Sequence, residues 1–213
     1  MKPLSECRLY AFVDTAYLRG RAPEVIARQL CDGGADLIQL RAKGSTPEAI
    51  QALAEAIIPV TQPAGVGLVI NDHPPVARAV GAELCHLGQE DFFDAGYTHV
   101  RQLVTANSTL KFGLSTHAPA QAERAQAAGA DYIAIGPVYA TGTKPTARPV
   151  TLEYVRWAAA HLDRPWFAIG GINLTNLEDV LAAGARRVCV VSAILNADDV
   201  AAACAAFARR LRA

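Results

Sequence analysis

The chain has 213 residues, with 20 basic and 20 acidic side chains and a formal net charge of zero. That length suits one compact domain, which at this size buries roughly 70% of the surface its unfolded chain exposes, and the neutral balance supplies no global field to hold DNA, RNA or an anionic membrane. The five cysteines, at 7, 31, 85, 189 and 204, are odd in number and lack zinc-type spacing, which points to a reducing, cytoplasmic setting.

Met1–Glu6 has no signal-type apolar stretch, and no run of about 18 apolar residues occurs, so neither export nor membrane insertion is expected. Aliphatic or β-branched runs alternate with Ala-rich stretches throughout, the pattern of βα units around a parallel sheet. In chain order the predicted strands are Leu9–Val13, Leu37–Leu40, Gly67–Ile70, Glu83–His86, Lys111–Leu114, Tyr132–Ile135, Trp166–Ile169 and Arg187–Val191. Amphipathic segments such as Pro47–Ile58 and Ala118–Ala128 lie between them, and only the stretch after Asp91 is weakly helical by pattern.

A Gly-Ala-polar tripeptide recurs at Gly34-Ala35-Asp36, Gly81-Ala82-Glu83, Gly129-Ala130-Asp131 and Gly184-Ala185-Arg186, at intervals of 47, 48 and 55 residues. Glycine at the end of a helix supplies a left-handed cap. The chain therefore repeats every two βα units, and four repeats make eight strands, so we expect a (β/α)8 TIM barrel forming one domain over residues 1–213.

In such a barrel the active site lies on the loops that follow the strands. After strand two, alternation puts Gln39, Arg41 and Lys43 on one face, and a guanidinium fork with a compact ammonium suits a diphosphate. Asn71-Asp72 follow strand three and Asp91 comes soon after strand four, a carboxylate pair suited to Mg²⁺ beside phosphate oxygens, although Asp91 is also placed to cap the next helix. Ser115, Thr116 and His117 follow strand five, where hydroxyls and an imidazole serve either a substrate or a helix N-cap. The loop Gly136–Pro145 after strand six carries Thr141, Gly142, Thr143 and Lys144 without Walker A spacing, and suits a lid over anions. Gly170-Gly171 after strand seven and Val191-Ser192 after strand eight fit the monophosphate site common at this end of such barrels.

Taken in order, QLRAK at 39–43, IND at 70–72, HLGQED at 86–91, GLSTH at 113–117, GPVYATGTK at 136–144, AIGGI at 168–172 and VVSAI at 190–194 resemble the motifs of the thiamine phosphate synthase family over nearly the whole chain. The resemblance implies coupling of hydroxymethylpyrimidine diphosphate with thiazole phosphate, or its carboxylated form, to give thiamine phosphate and pyrophosphate with Mg²⁺ assistance. It implies that Gln39, Leu40, Arg41, Ala42, Lys43, Asn71, Ser115 and Lys144 contact the pyrimidine diphosphate, with Arg41, Lys43, Ser115 and Lys144 in the catalytic role. It also implies that Asp72 and Asp91 bind the metal, and that Thr141, Gly142, Thr143, Gly171, Val191 and Ser192 hold the thiazole phosphate. The chain departs from the family pattern at His73-Pro74-Pro75, where arginine usually follows Asn-Asp, and at Ala140 and Gly142, where proline is common.

The alternatives are a thiazole tautomerase-like barrel, with His117 as acid or base, and a non-catalytic barrel that binds a phosphorylated metabolite. Neither needs the diphosphate clamp and the metal carboxylates together. Partners are expected to be small-molecule substrates, and the sequence leaves open whether the chain forms a homo-oligomer.

Overall fold

The structure, a computed structural model, describes residues 1–142 and 148–213. Eight parallel strands, β1 (Leu9–Asp14), β2 (Leu37–Arg41), β3 (Gly67–Asn71), β4 (Leu84–Leu87), β5 (Lys111–Thr116), β6 (Tyr132–Ile135), β7 (Trp166–Ile169) and β8 (Val188–Cys189), close into a barrel in sequence order. The intervening helices are α1 (Pro23–Asp32), α2 (Pro47–Thr61), α3 (Pro74–Ala79), α4 (Gln89–Phe93), α5 (Pro119–Ala127), α6 (Thr151–His161), α7 (Leu177–Ala182), α8 (Ser192–Leu195) and α9 (Val200–Arg212). The predicted TIM barrel is the observed fold. Among the described residues no helix is long and apolar enough to cross a membrane.

Helix starts are written in the sequence. α1, α2, α3 and α5 each begin on a proline, whose fixed φ suits the first helical position and whose missing N–H costs nothing there. The stretch after Asp91 forms only the five-residue α4 and a 3₁₀ turn at Val100–Leu103, capped by His99. β8 is shorter than the Arg187–Val191 expected, because the backbone breaks from the sheet at Val191 (φ −110°, ψ −86°) and enters α8. β8 is joined to β7 through Ala168↔Val188 and Ile169↔Cys189, and to β1 through Leu9↔Val188 and Tyr10↔Cys189.

The tripeptide repeat has a structural purpose beyond capping. All four glycines have positive φ, and the carboxylates that follow reach back to the strand before. Asp36 Oδ2 accepts from the Arg8 and Leu9 amides at 2.6 and 2.9 Å, Glu83 from Leu68 at 3.0 Å and Asp131 from Phe112 at 2.8 Å. Each acid thus clasps the start of β1, β3 or β5 at the face of the barrel opposite the strand ends. Arg186 occupies the fourth position and instead its carbonyl accepts from the Arg8 guanidinium at 3.4 Å.

The barrel interior is packed with rings as well as aliphatic side chains. Phe167 meets Tyr10 and Tyr132 edge-on, with ring centroids 5.5 and 5.6 Å apart, a favoured aromatic geometry. Gly113 lies beside Tyr132 in the β5–β6 register, and a Cβ there would overlap the tyrosine ring.

Candidate active site

The ends of the strands surround a cavity of about 260 Å³. Gln39, Arg41 and Lys43 all line it, as the alternation along β2 dictates. The side chains of Leu40 and Ala42 point away, into the core at 1% and 6% exposure, so these two offer a ligand only their backbone. Arg41 donates from Nη1 to Asp14 Oδ2 at 2.8 Å, and Asp14 Oδ1 accepts the Ala16 amide at 3.0 Å. Asp14 ends β1, two residues on from Phe12 and four from Tyr10. That period-2 position was available in the sequence and escaped notice because nothing chemical follows it.

The floor of the cavity is a buried chain of polar groups that sequence reasoning also missed. Gln39 Nε2 donates to Tyr10 Oη at 2.5 Å, Tyr10 Oη lies 3.0 Å from Tyr132 Oη, and Tyr132 Oη lies 3.0 Å from His86 Nδ1. Tyr10 and His86 also line the cavity. Burial pushes the His86 pKa down to about 4; the Asp72 charge opposes that shift and Lys43 adds to it, so the ring is neutral at physiological pH.

Asn71 and Asp72 follow β3 into the same cavity. Asp72 takes a left-handed conformation (φ 64°), its amide donates to the His86 carbonyl at 2.8 Å, and its carboxylate accepts from Asn71 Nδ2 at 2.6 Å and pairs with Lys43. Asp91 also lines the cavity and sits in the first turn of α4, three residues after the N-cap Gly88 rather than at the cap itself. Its Oδ2 occupies the space a side chain at 88 would need, since a Cβ on Gly88 would lie 2.5 Å from it.

These two carboxylates fit a hard divalent cation. Among the described residues no group of three or more His, Cys, Asp or Glu side chains is placed to hold a metal ion by itself. Mg²⁺ commonly takes only one or two protein carboxylates, with phosphate oxygens and water completing its octahedron.

Ser115 points into the cavity from β5. Neither it nor Thr116 caps α5, whose N-cap is Ala118 without a side-chain bond. Thr116 Oγ1 instead lies 2.7 Å from the Tyr154 hydroxyl. His117 Nδ1 faces the Gly136 carbonyl, which can only accept, so Nδ1 carries a proton. The loop after β6 is stitched to the end of β7 by the Val138 amide to Ile169 and the Tyr139 amide to Gly170, at 2.8 and 3.0 Å. Thr141 lines the cavity and Gly142 is exposed beside it, while Thr143 and Lys144 lie outside the described residues.

Opposite β3 and β4 in the ring of strands, Gly170 and Gly171 turn with φ of 102° and 64°. A Cβ at Gly170 would overlap Pro137, and one at Gly171 would lie 2.5 Å from the Ala140 carbonyl, so both backbone freedom and space require glycine here. Gly171, Val191 and Ser192 share the cavity wall, with Ser192 opening α8. The first amides of a helix have no acceptor within it and favour an anion. A larger depression of about 790 Å³ shares Glu90 and His117 with this site but otherwise lies between α5 and α6, walled by residues such as Pro119 and Trp157 away from the strand ends.

A family model described as thiamine monophosphate synthase matches residues 9–194. The chain belongs to the thiamine monophosphate synthase family. Its activity is accordingly thiamine-phosphate synthesis, a transferase reaction. The thiamine-phosphate synthase of Thermus thermophilus is 44% identical over 185 residues, 84% of each chain, and that of Acidothermus cellulolyticus is 42% identical over 212 residues, covering 99% of this chain and 97% of the relative. The solved thiamine phosphate pyrophosphorylase from Pyrococcus furiosus superposes with a TM-score of 0.86 at 27% identity over 98% of this chain and 97% of its own. A tryptophan synthase from Mycobacterium tuberculosis, at 15% identity and a TM-score of 0.71, shares the fold alone. In this synthase, then, the strand-end cavity is where chemistry-bearing residues from around the whole barrel converge.

Proposed function

We propose that the cavity joins its two substrates across its width, with the pyrimidine diphosphate on the arc of β2 to β5 and the thiazole phosphate on the arc of β7 and β8. The carbon–oxygen bond between the pyrimidine methylene and the diphosphate breaks, the oxygen keeps the electron pair, and the thiazole nitrogen supplies the pair for the new carbon–nitrogen bond. Pyrophosphate leaves with the charge, and no protein nucleophile takes part.

The observation that carries this reading is that Arg41, Lys43, Asp72 and Asp91 share one cavity with the Gly171 and Ser192 cradle on the far wall. Arg41 and Lys43 offset negative charge where it collects on the leaving oxygens. Asn71 and Ser115 are placed to orient the diphosphate, and Thr141, Gly142, Gly171, Val191 and Ser192 to hold the monophosphate. Thr143 and Lys144 complete the two sets by family resemblance. Asp72 and Asp91 would hold Mg²⁺, whose contribution there is neutralisation of the diphosphate. For Asp72 this requires Lys43 to release the carboxylate it holds in the free protein and turn to the substrate phosphates.

The test supplies purified protein with both phosphorylated precursors, with Mg²⁺ or with a chelator, and follows thiamine phosphate and pyrophosphate by chromatography. Product is expected in equal amounts of both with the metal, and much less with the chelator. Asp91→Ala should lower turnover while leaving the fold intact. Turnover that ignores both the chelator and the substitution would overturn the metal assignment.

A further inference from the structure

With the Gln39 amide donating, the hydrogen-bonded chain under the cavity has one consistent arrangement of protons. Each phenol has a single proton to give. The Gln39 amide donates to Tyr10, so the Tyr10 proton goes to Tyr132 and the Tyr132 proton goes to His86 Nδ1. The imidazole proton is then left on Nε2. A proton on Nδ1 would run the chain backwards and set the Tyr10 hydroxyl against the Gln39 N–H, two donors face to face. Such a clash is costly where Tyr10 is 1% and Tyr132 0% exposed.

Among the described residues the His86 side chain bonds only to Tyr132, and its ring lines the cavity. The polar atom it has left to offer is Nε2. The Tyr10 and Phe12 rings, which also line the cavity, stack on each other 5.2 Å apart and inclined by 9°. A flat ring bound in the cavity has aromatic neighbours and one fixed donor to meet.

We propose that Gln39, Tyr10 and Tyr132 form a tautomer lock that keeps the His86 proton on Nε2, and that this N–H donates to an acceptor atom of a flat heteroaromatic substrate, a ring nitrogen of the pyrimidine in the reaction above. Tyr10 and Tyr132 are positioning residues, acting through His86. The identity of the substrate rests on the reading of the preceding subsection; the lock itself does not.

The test therefore has two arms. In the first, ¹⁵N-edited NMR of the imidazoles in the full chain without ligand, at neutral pH and with His86 assigned by its loss in His86→Phe, should show a single Nε2–H tautomer. Gln39→Glu places a carboxylate that can only accept at the head of the chain, reverses the relay and should show the Nδ1–H form. An Nδ1–H form or a mixture in the parent protein, or no change in Gln39→Glu, would overturn the lock.

In the second arm, His86→Phe should raise KM for the pyrimidine diphosphate about three- to tenfold, the worth of one neutral hydrogen bond. KM for the thiazole phosphate should stay unchanged, and His86→Gln, which restores an N–H near the Nε2 position, should recover most of the loss. An equal rise in both KM values, or no advantage of glutamine over phenylalanine, would mean a structural role only. Absence of turnover in the parent protein would instead strike the assigned reaction, and the NMR arm would still decide the lock.

Discussion

Asp14 holds Arg41 by a 2.8 Å ion pair from a side chain only 1% exposed. The carboxylate is also anchored by the Ala16 amide, so it fixes one side of the guanidinium fork. Asp14→Asn keeps the size and the anchor but weakens the pair. It should lower kcat/KM about 10- to 100-fold, the usual range for losing the alignment of a positioned charge, with little change in melting temperature. Steady-state kinetics with both precursors check this, and unchanged kcat/KM would show that Arg41 needs no support.

Gly171 combines a left-handed backbone with a carbonyl 2.5 Å from where a Cβ would sit. Gly171→Ala should cost about 1–3 kcal/mol in strain and displacement, or several degrees in melting temperature for a chain of this size. More tellingly, it should raise KM for the thiazole phosphate far more than KM for the pyrimidine diphosphate. A selective effect on the pyrimidine diphosphate would reverse the assignment of the two walls.

Gly113 makes room for Tyr132, and through it for the chain that ends at His86. Gly113→Ala pushes a methyl group into the tyrosine ring, and overpacking of this kind costs about 1–3 kcal/mol. Denaturant unfolding should show that loss, while Gly142→Ala, with no heavy atom of the described residues within 4 Å of the new Cβ, should leave stability unchanged.

Burial by itself would raise the Asp36 pKa, but the bond from Lys2 and the Leu9 and Arg8 amides outweigh it and hold the pKa below its ordinary value of 3.8. A carboxylate whose folded pKa is depressed contributes stability above its unfolded pKa and loses it as pH falls through the folded value. Asp36→Asn should therefore be clearly destabilised at neutral pH, and the gap to the parent protein should narrow as the solution is acidified below the ordinary carboxylate value of 3.8. Urea midpoints measured across that range test it. A gap that stays constant would mean that Asp36 acts through shape alone.

The barrel was legible because its signals are local and repeat. Alternating runs mark strands, prolines mark helix starts, and the Gly-Ala-polar tripeptide counts the units. The cavity wall on β2 was legible for the same reason, since period 2 fixes which of Gln39, Leu40, Arg41, Ala42 and Lys43 face inwards. What escaped was whatever depends on partners brought together by closure. Tyr10 and Tyr132 are 122 residues apart, and in sequence each is only an aromatic residue in a strand. The pairing of Lys43 with Asp72, rather than with a phosphate, likewise depends on β2 lying beside β3.

β8 is the shortest stave of the barrel. It is fastened to each neighbour by two register pairs, whereas β1 and β2 share five, and the fourth tripeptide puts an arginine where the others put a clasping acid. The wall is therefore most weakly stitched just below Ser192. Anything that grips Gly171 on one stave and Ser192 on the next also bridges that seam, so filling the cradle and tightening the barrel would be a single event.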